Sequence, residues 1–324
     1  MPEKWRLSIP SNRSARLAAS PCVGYASFVL EETVEMRPGL TVVGPVFFEV
    51  FVPVLDPLPV PGEERYVDSI PIGFGGSMNT ASVAAALGLD VTLVHPSGGG
   101  MIDLAAAALM QRLGIRSVQW PSRPNPFLSL VFSDGRDRAF LSAGDSDCLL
   151  RVPRIPFSPW VHAGGVQEAY MAPERLAEVR EQGAKIAVSG CWSMPHLVRL
   201  GQERARPFDL LVVNRREAEF ATGLPGQDAV QHLQGASADV IVTDGDEGAF
   251  GVLDGKHVRC HAIPVPVVDL TGAGDAFMTG LLVARIRGLP GDAALAFAGQ
   301  VASRIVGIMG GTVADPALLA DLVS

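Results

Sequence analysis

Short apolar runs alternate along this chain with longer stretches rich in small residues, and that alternation restricts the fold more than any other feature. Strand-like runs fall at Leu40 to Val46, Val91 to His95, Lys185 to Ser189, Leu210 to Val213 and Val240 to Thr243. Helical patterns fall at Ala81 to Gly88, Asp103 to Leu113, Pro173 to Gln182 and Ala293 to Met309. Continuous apolar strands separated by helices imply a mostly parallel sheet covered on both faces, an α/β architecture. Two segments break the rhythm. Arg65 to Ile72 alternates in β fashion after the turn Pro59 to Glu63, and Phe127 to Phe140 carries a Ser133-Asp134-Gly135-Arg136 hairpin signal, so a second, smaller β layer is expected. Proline-rich stretches at Pro53 to Pro61, Pro121 to Pro126 and Pro153 to Pro159 mark its connections to the main sheet.

In open sheets of this kind ligands bind beyond the carboxyl ends of the strands. One junction there carries chemistry. The apolar run Ala262 to Val268 leads through Asp269-Leu270-Thr271-Gly272-Ala273-Gly274-Asp275 into an apolar helix, Ala276 to Arg287. Gly272 and Gly274 let the backbone approach an anion closely. The free N–H groups of Gly272, Ala273 and Gly274, reinforced by the helix dipole, would then face it. Asp275 adds a carboxylate able to take the proton of an attacking hydroxyl. Anion hole and base in one turn suit phosphoryl transfer. For an isolated glycine-rich turn, a capped helix would be the simpler account.

The full string Asp269 to Phe277 resembles the signature of the PfkB, or ribokinase-like, carbohydrate kinase family, and further motifs follow in the family's order. Gly73-Phe74-Gly75-Gly76-Ser77-Met78-Asn79 is similar to the element that holds sugar hydroxyls, which makes Gly75, Gly76 and Asn79 substrate-binding candidates. Asn214-Arg215-Arg216-Glu217 is similar to the N-x-x-E element, and implies that Asn214 and Glu217 organise Mg²⁺, through water, beside ATP. Thr243-Asp244-Gly245 resembles a nucleotide-contacting stretch, so Thr243 and Gly245 are nucleotide candidates. Asp269 and Thr271 match positions that bind a monovalent cation, K⁺, in some relatives. The resemblance implies a ribokinase-like three-layer fold over residues 36–324, with a small β-sheet lid drawn from about 47–76 and 120–142. It also implies a small sugar-like substrate under that lid. Arg138, on the lid, could reach the acceptor, although an exposed strand arginine is the plainer reading. Lid sheets pair between subunits in several relatives, so a homodimer through the lid is one expectation.

Departures from the family pattern fall on the acceptor side. Glu49 stands where relatives usually carry Asp; His95 to Asp103 lacks the usual G-x-D-x-x-G acid; Ala187 to Trp192 replaces a D-x-N-x-R element. The phosphate and base side is intact. The chain therefore reads as an active ATP-dependent kinase for a primary hydroxyl of an unusual acceptor. A nucleoside kinase, or a regulator that binds nucleotide or sugar without turnover, are the alternatives.

Composition narrows the classes. The 324 residues are 48% hydrophobic and 19% charged with formal charge −8, and no Lys/Arg cluster suggests nucleic acid. The apolar stretch Leu40 to Leu55 is interrupted by Gly44, Pro45, Glu49 and Pro53, so no membrane span is expected. Cys22, Cys148, Cys191 and Cys260 are scattered, which argues against zinc or disulfides and fits a reducing, cytoplasmic compartment. Residues 1–35 are expected to form a loosely packed extension without chemistry, an upstream start before Met36 being one explanation. No P-loop and no protein-kinase signature is present.

Overall fold

The computed structural model describes residues 39–53, 59–133, 138–191 and 193–323. The expected extension over 1–35 and the tip of the Ser133 to Arg136 hairpin lie outside the described residues. In chain order the strands are β1 (Gly39–Val43), β2 (Val46–Val52), β3 (Ile72–Gly76), β4 (Asp90–Ser97), β5 (Arg116–Pro121), β6 (Phe127–Ser133), β7 (Arg138–Gly144), β8 (Trp160–Ala163), β9 (Lys185–Ser189), β10 (Phe208–Asn214), β11 (Ser237–Thr243), β12 (Ala249–Leu253) and β13 (Lys256–Cys260). The helices are α1 (Ser77–Ala86), α2 (Met101–Arg112), α3 (Val166–Met171), α4 (Pro173–Glu181), α5 (Met194–Gln202), α6 (Arg215–Thr222), α7 (Gly226–Leu233), α8 (Ala273–Ile286) and α9 (Gly291–Ile305).

Nine strands form the main sheet in the order β13-β12-β11-β10-β9-β8-β1-β4-β5. Pairing is parallel from β11 through to β5, and antiparallel at β11–β12 and β12–β13. Successive side chains of a strand point to opposite faces, so each strand feeds two cores. Leu40, Val42 and Leu93 join the core under α1, α8 and α9, whereas Val43, Val94 and Val161 join the one under α3 to α7. Thr41 is fully buried in β1, and its hydroxyl meets Ser158 Oγ at 2.8 Å, which offsets the desolvation of both groups. Helix α8 is buried along Ala276 to Ala284. A Cβ on Gly280 would stand 2.9 Å from Ala298 Cα, so the missing side chain lets α9 close against α8 and fix its position.

The expected run Leu40 to Val46 divides at Gly44-Pro45. Strand β1 stays in the main sheet and β2 enters a second, four-stranded sheet of order β3-β2-β6-β7. There β2 pairs antiparallel with β3 and parallel with β6, and β6 pairs antiparallel with β7. From β3 the chain passes directly into α1.

Three stretches differ from what their sequence suggested. Ala262 to Val268 forms no strand, because Pro264 and Pro266 supply no N–H to a ladder. Of Arg65 to Ile72 only Ile72 is in a strand, and the preceding residues are mostly exposed, with one backbone bond from Phe51 N–H to the Pro71 carbonyl at 2.9 Å. The hairpin β12–β13 was not anticipated, although its Asp254-Gly255 turn, with φ of +50° and +72°, is a strong hairpin signal.

Candidate active site

Gly272, with φ +77°, caps α8, and a Cβ there would lie 2.4 Å from Gly311 Cα. The Ala276 N–H donates to the Gly272 carbonyl at 2.8 Å. Ala273 N–H turns back to the Leu270 carbonyl at 3.2 Å. Among the described residues no backbone carbonyl accepts from Gly274 or Asp275, and a Cβ on Gly274 would meet nothing within 4 Å. The open donors at the helix mouth are thus those of Gly274 and Asp275, with Ala273 already engaged in the turn. Such donors, at the positive end of a helix, suit an anion.

Asp275 is half-buried, and its Oδ2 accepts a hydrogen bond from Asn79 Nδ2 at 2.8 Å. Asn79 is itself 2% exposed and held in place, its Oδ1 lying 2.8 Å from the Thr312 hydroxyl. That hydroxyl has one proton, shared between Asn79 Oδ1 and the Phe74 carbonyl at 2.7 Å. The Thr279 hydroxyl donates to the Asp275 carbonyl at 2.6 Å and anchors the first turn. Burial pushes the Asp275 carboxyl up to about 6, against the opposing effects of the Asn79 hydrogen bond and the Arg138 charge. A base in that range is ionised at neutral pH yet holds a proton well enough to accept one.

Glu49, on β2, is 5% exposed and its Oε2 has no hydrogen-bond partner. Its carboxyl lies against Gly75, where a Cβ would stand 2.1 Å from Oε1. Burial raises its pKa to about 7, the charges of Asp275 and Asp269 adding to the rise and Arg138 opposing it. Gly76, at φ +62°, turns the chain tightly over the Pro45 carbonyl as α1 begins. Gly75, Gly76, Asn79, Glu49 and Asp275 are therefore gathered between the second sheet and the start of α8. Arg138, first residue of β7, is not the exposed strand arginine: its side chain is 22% exposed and its Nη1 lies 3.7 Å from Asp269 Oδ1.

On the other side of the helix mouth, register pairs Asn214 of β10 with Thr243 of β11 at the carboxyl ends of the strands. Asn214 and Glu217 form a reciprocal cap on α6: Glu217 N–H donates to Asn214 Oδ1, and Asn214 N–H to Glu217 Oε2, both at 2.9 Å. Glu217 is 7% exposed and burial lifts its carboxyl to about 7, the two bonds with Asn214 pulling it down and Asp275 pushing it up. A cap does not need so buried a carboxyl. Gly245, at φ +56°, opens a turn with free space around its Cα, and the neighbouring Asp244 is ion-paired to Arg215.

Residues that sequence reasoning missed lie in the loop after α9. Thr312 holds Asn79, Gly311 touches Gly272, and Gly310 N–H donates to Asp269 Oδ2 at 2.9 Å. The Gly310-Gly311 pair was the available signal. Asp103, the acid left in the altered His95 to Asp103 stretch, accepts from the Gly98, Gly100 and Asn125 N–H groups, which is a structural duty.

The family model for pfkB family carbohydrate kinases matches residues 40–318. The chain belongs to that family. A 1-phosphofructokinase of Haloferax volcanii is 30% identical over 283 residues, covering 80% of this chain and 88% of that one. In fold, the adenosine kinase of Sinorhizobium meliloti matches with TM-score 0.72 at 17% identity, covering 89% of this chain and 99% of that one. The Arabidopsis thaliana ribokinase, solved with ribose and ATP, matches with TM-score 0.66 at 22% identity, over 89% and 99% of the two chains. The fold is ribokinase-like, with its large, mostly parallel sheet and second small sheet. As a pfkB-family member the chain is a kinase of the phosphotransferase class that uses an alcohol group as acceptor. Among the described residues no helix is long and apolar enough to cross a membrane.

Proposed function

We propose that this pfkB-family kinase transfers the γ-phosphoryl group of ATP to a primary hydroxyl of a sugar or sugar-like small molecule, with Asp275 as general base. The observation that carries the reading is the Asp275 carboxylate, aimed by Asn79 at 2.8 Å and standing at the mouth of a helix whose Gly274 and Asp275 N–H groups are open. The acceptor lies between the second sheet, acting as lid, and α8, where Glu49, Asn79, Gly75, Gly76 and Arg138 surround it. Thr243 and Gly245 line the nucleotide side.

As the acceptor oxygen attacks, a new O–P bond forms, the bond from the γ-phosphorus to the β–γ bridging oxygen breaks, ADP leaves, and the hydroxyl proton passes to an Asp275 oxygen. The open N–H groups of Gly274 and Asp275, at the end of the Gly272 to Gly274 turn, serve the equatorial oxygens, and removing one such donor typically costs about 3 kcal/mol of barrier. Mg²⁺ bound with ATP neutralises triphosphate charge. Asn214 and Glu217 suit that ion because Glu217 is a buried carboxyl whose raised pKa a nearby cation would lower. Among the described residues no cluster of three or more His, Cys, Asp or Glu could hold a metal alone, consistent with a site completed by phosphates and water. Residues 36–324 are assigned to the kinase domain, with β2, β3, β6 and β7 as lid.

The lid also supports the homodimer expectation. Its inner face carries Glu49, Phe51, Ser129 and Val131, all buried, while its outer face presents Phe48, Val50, Leu128 and Leu130, half-exposed, with Ile72 and Leu141 at 64% and 63% exposure. An uncharged sheet face of this kind fits a second copy of itself. Val50→Glu in a dimer should sediment as monomer.

The deciding experiment measures ADP release from MgATP over pentoses, hexoses, sugar acids, sugar phosphates and nucleosides, with Asp275→Asn as blank. One acceptor used by the wild type and not by the variant supports the reading. A nucleoside as sole acceptor moves it to nucleoside kinase, and silence with ATP bound moves it to a regulator.

A further inference from the structure

We propose that Arg138 supplies, from the lid, the positive charge that holds the Asp269–Thr271 turn beneath the anion hole, so that this kinase turns over without a monovalent cation. The inference rests on the kinase reading above. Both oxygens of Asp269 are occupied. Oδ1 accepts from Thr271 N–H at 3.0 Å and from the Thr271 hydroxyl at 2.9 Å, and Oδ2 accepts from Gly310 N–H at 2.9 Å. An ionised carboxylate has roughly four acceptor directions, so three are already used. The Arg138 guanidinium stands on the same carboxylate, 3.7 Å from Oδ1. A nearby carbonyl, that of Val306, accepts from both Val268 N–H at 2.8 Å and Asp269 N–H at 3.2 Å. A cation placed on Asp269 would have to displace Arg138 or break one of these bonds. Asp269 and Thr271 therefore do not fit a resident K⁺, and the charge it would bring is already present, attached to β7.

The placement couples lid to chemistry. Asp269 and Arg138 side chains are 8% and 22% exposed, so solvent screens them only partly. Through Gly310 the Asp269 carboxylate ties the turn to the loop in which Gly311 touches Gly272 and Thr312 holds Asn79. A lid that swings out would leave a nearly buried carboxylate without its counter-charge, loosening both the anion hole and the support of Asp275. Arg138 is on this account a positioning residue.

The test compares the full chain with Arg138→Ala and Arg138→Lys in choline, sodium and potassium chloride at fixed ionic strength, reading turnover and thermal unfolding. The wild type should show equal kcat and equal melting temperature in all three salts. Arg138→Ala should lose about tenfold in kcat, in line with the loss of one charged contact, with KM for ATP nearly unchanged. Low-millimolar guanidinium or K⁺ should restore part of its kcat and raise its melting temperature, and Arg138→Lys, which keeps a positive charge on the lid, should lose less in both readouts than Arg138→Ala. A wild type activated and stabilised by K⁺ over sodium and choline overturns the proposal, as does an Arg138→Ala variant indifferent to guanidinium and K⁺. If no acceptor is ever turned over, the kinase reading fails, and the melting temperatures still decide whether Arg138 supplies the charge.

Discussion

Asp275→Asn should stabilise the ligand-free protein, and by an amount that grows with pH. The folded carboxyl sits at about 6 against an ordinary value of 3.8, chiefly through burial. Below the lower value both folded and unfolded chains carry the proton. Between the two values the folded chain binds more protons than the unfolded one, so stability falls as pH rises, and above the higher value the loss is complete. A shift of about 2 units corresponds to about 3 kcal/mol at full strength, and partial exposure of Asp275 to the cleft reduces this to about 1–2 kcal/mol. The amide keeps an oxygen for the Asn79 Nδ2 donor, now at 2.8 Å, so the substitution removes the charge while leaving the contact. At pH 8 the variant should melt higher than wild type, by about 1.5–2 °C per kcal/mol for a domain of this size. The gap should close towards pH 4. Thermal and urea unfolding in half-unit pH steps measure it without knowledge of the acceptor. A gap that is flat with pH, or widest in acid, would refute the assignment of Asp275 as a charge held at energetic cost in a buried site.

Three further outcomes follow from the same geometry. Thr312→Val removes the hydroxyl beside Asn79 Oδ1 and should lower kcat about tenfold, the worth of one hydrogen bond, with KM for ATP steady and Thr312→Ser restoring activity in steady-state assays. Gly272→Ala places a Cβ 2.4 Å from Gly311 Cα at φ +77°, so turnover should vanish and urea unfolding should show a loss of about 2–3 kcal/mol; Gly245→Ala, at φ +56° in open space, should cost only about 1 kcal/mol. Glu217→Gln should raise the Mg²⁺ concentration needed for half-maximal rate several-fold in a metal titration, while stabilising the free protein by an amount that grows between pH 4.5 and about 7 and is complete above about 7, because the folded wild-type carboxyl holds its proton through that window while the unfolded one does not.

How far the chain was legible depended on the range of the forces involved. Lys185 to Ser189 was placed to the residue, and Asp90–Ser97, Phe208–Asn214 and Ser237–Thr243 were found with frayed ends, because burial on both faces writes itself as a continuous apolar run. Ala262 to Val268 shows where that signal fails: apolar composition sufficed for the sequence pattern, but two prolines denied it a ladder. The turn Gly272 to Asp275 was readable because its constraint is local, a left-handed residue at the start of a helix. Thr312 was not, since its contact with Asn79 spans 233 positions and nothing near either residue announces the other. That Arg138 is not the exposed strand arginine was hidden for the same reason, as its ion pair with Asp269 joins β7 of the second sheet to the turn before α8.

Glu49, one of the acceptor-side departures, shares with two other buried carboxyls a physical form that a sequence pattern conceals. Glu49 lies on Gly75, where a Cβ would stand 2.1 Å from its Oε1, and Glu217 lies on Gly190, where a Cβ would stand 1.9 Å from its Oε2. Glu168 repeats the arrangement over Gly165, at 2.7 Å. In each case a carboxyl occupies the space of an absent side chain on a neighbouring element, and each of the three has its pKa raised first of all by burial. The extra methylene of Glu49 relative to the family's aspartate is therefore taken up by folding the side chain back over Gly75. On the proposed reading, Glu49 keeps a carboxyl at the acceptor site in a different arrangement from the family's aspartate. Buried carboxyls raised in this way destabilise the empty protein whenever they ionise, and a bound polyol or metal that satisfies them returns that free energy as binding. The proposed unusual acceptor and the intact phosphate turn are in this sense compatible: the glycines that accommodate the carboxyls lie on β3 and after β8 and β9, whereas the turn proposed to handle the phosphoryl group rests on α8 and the loop after α9.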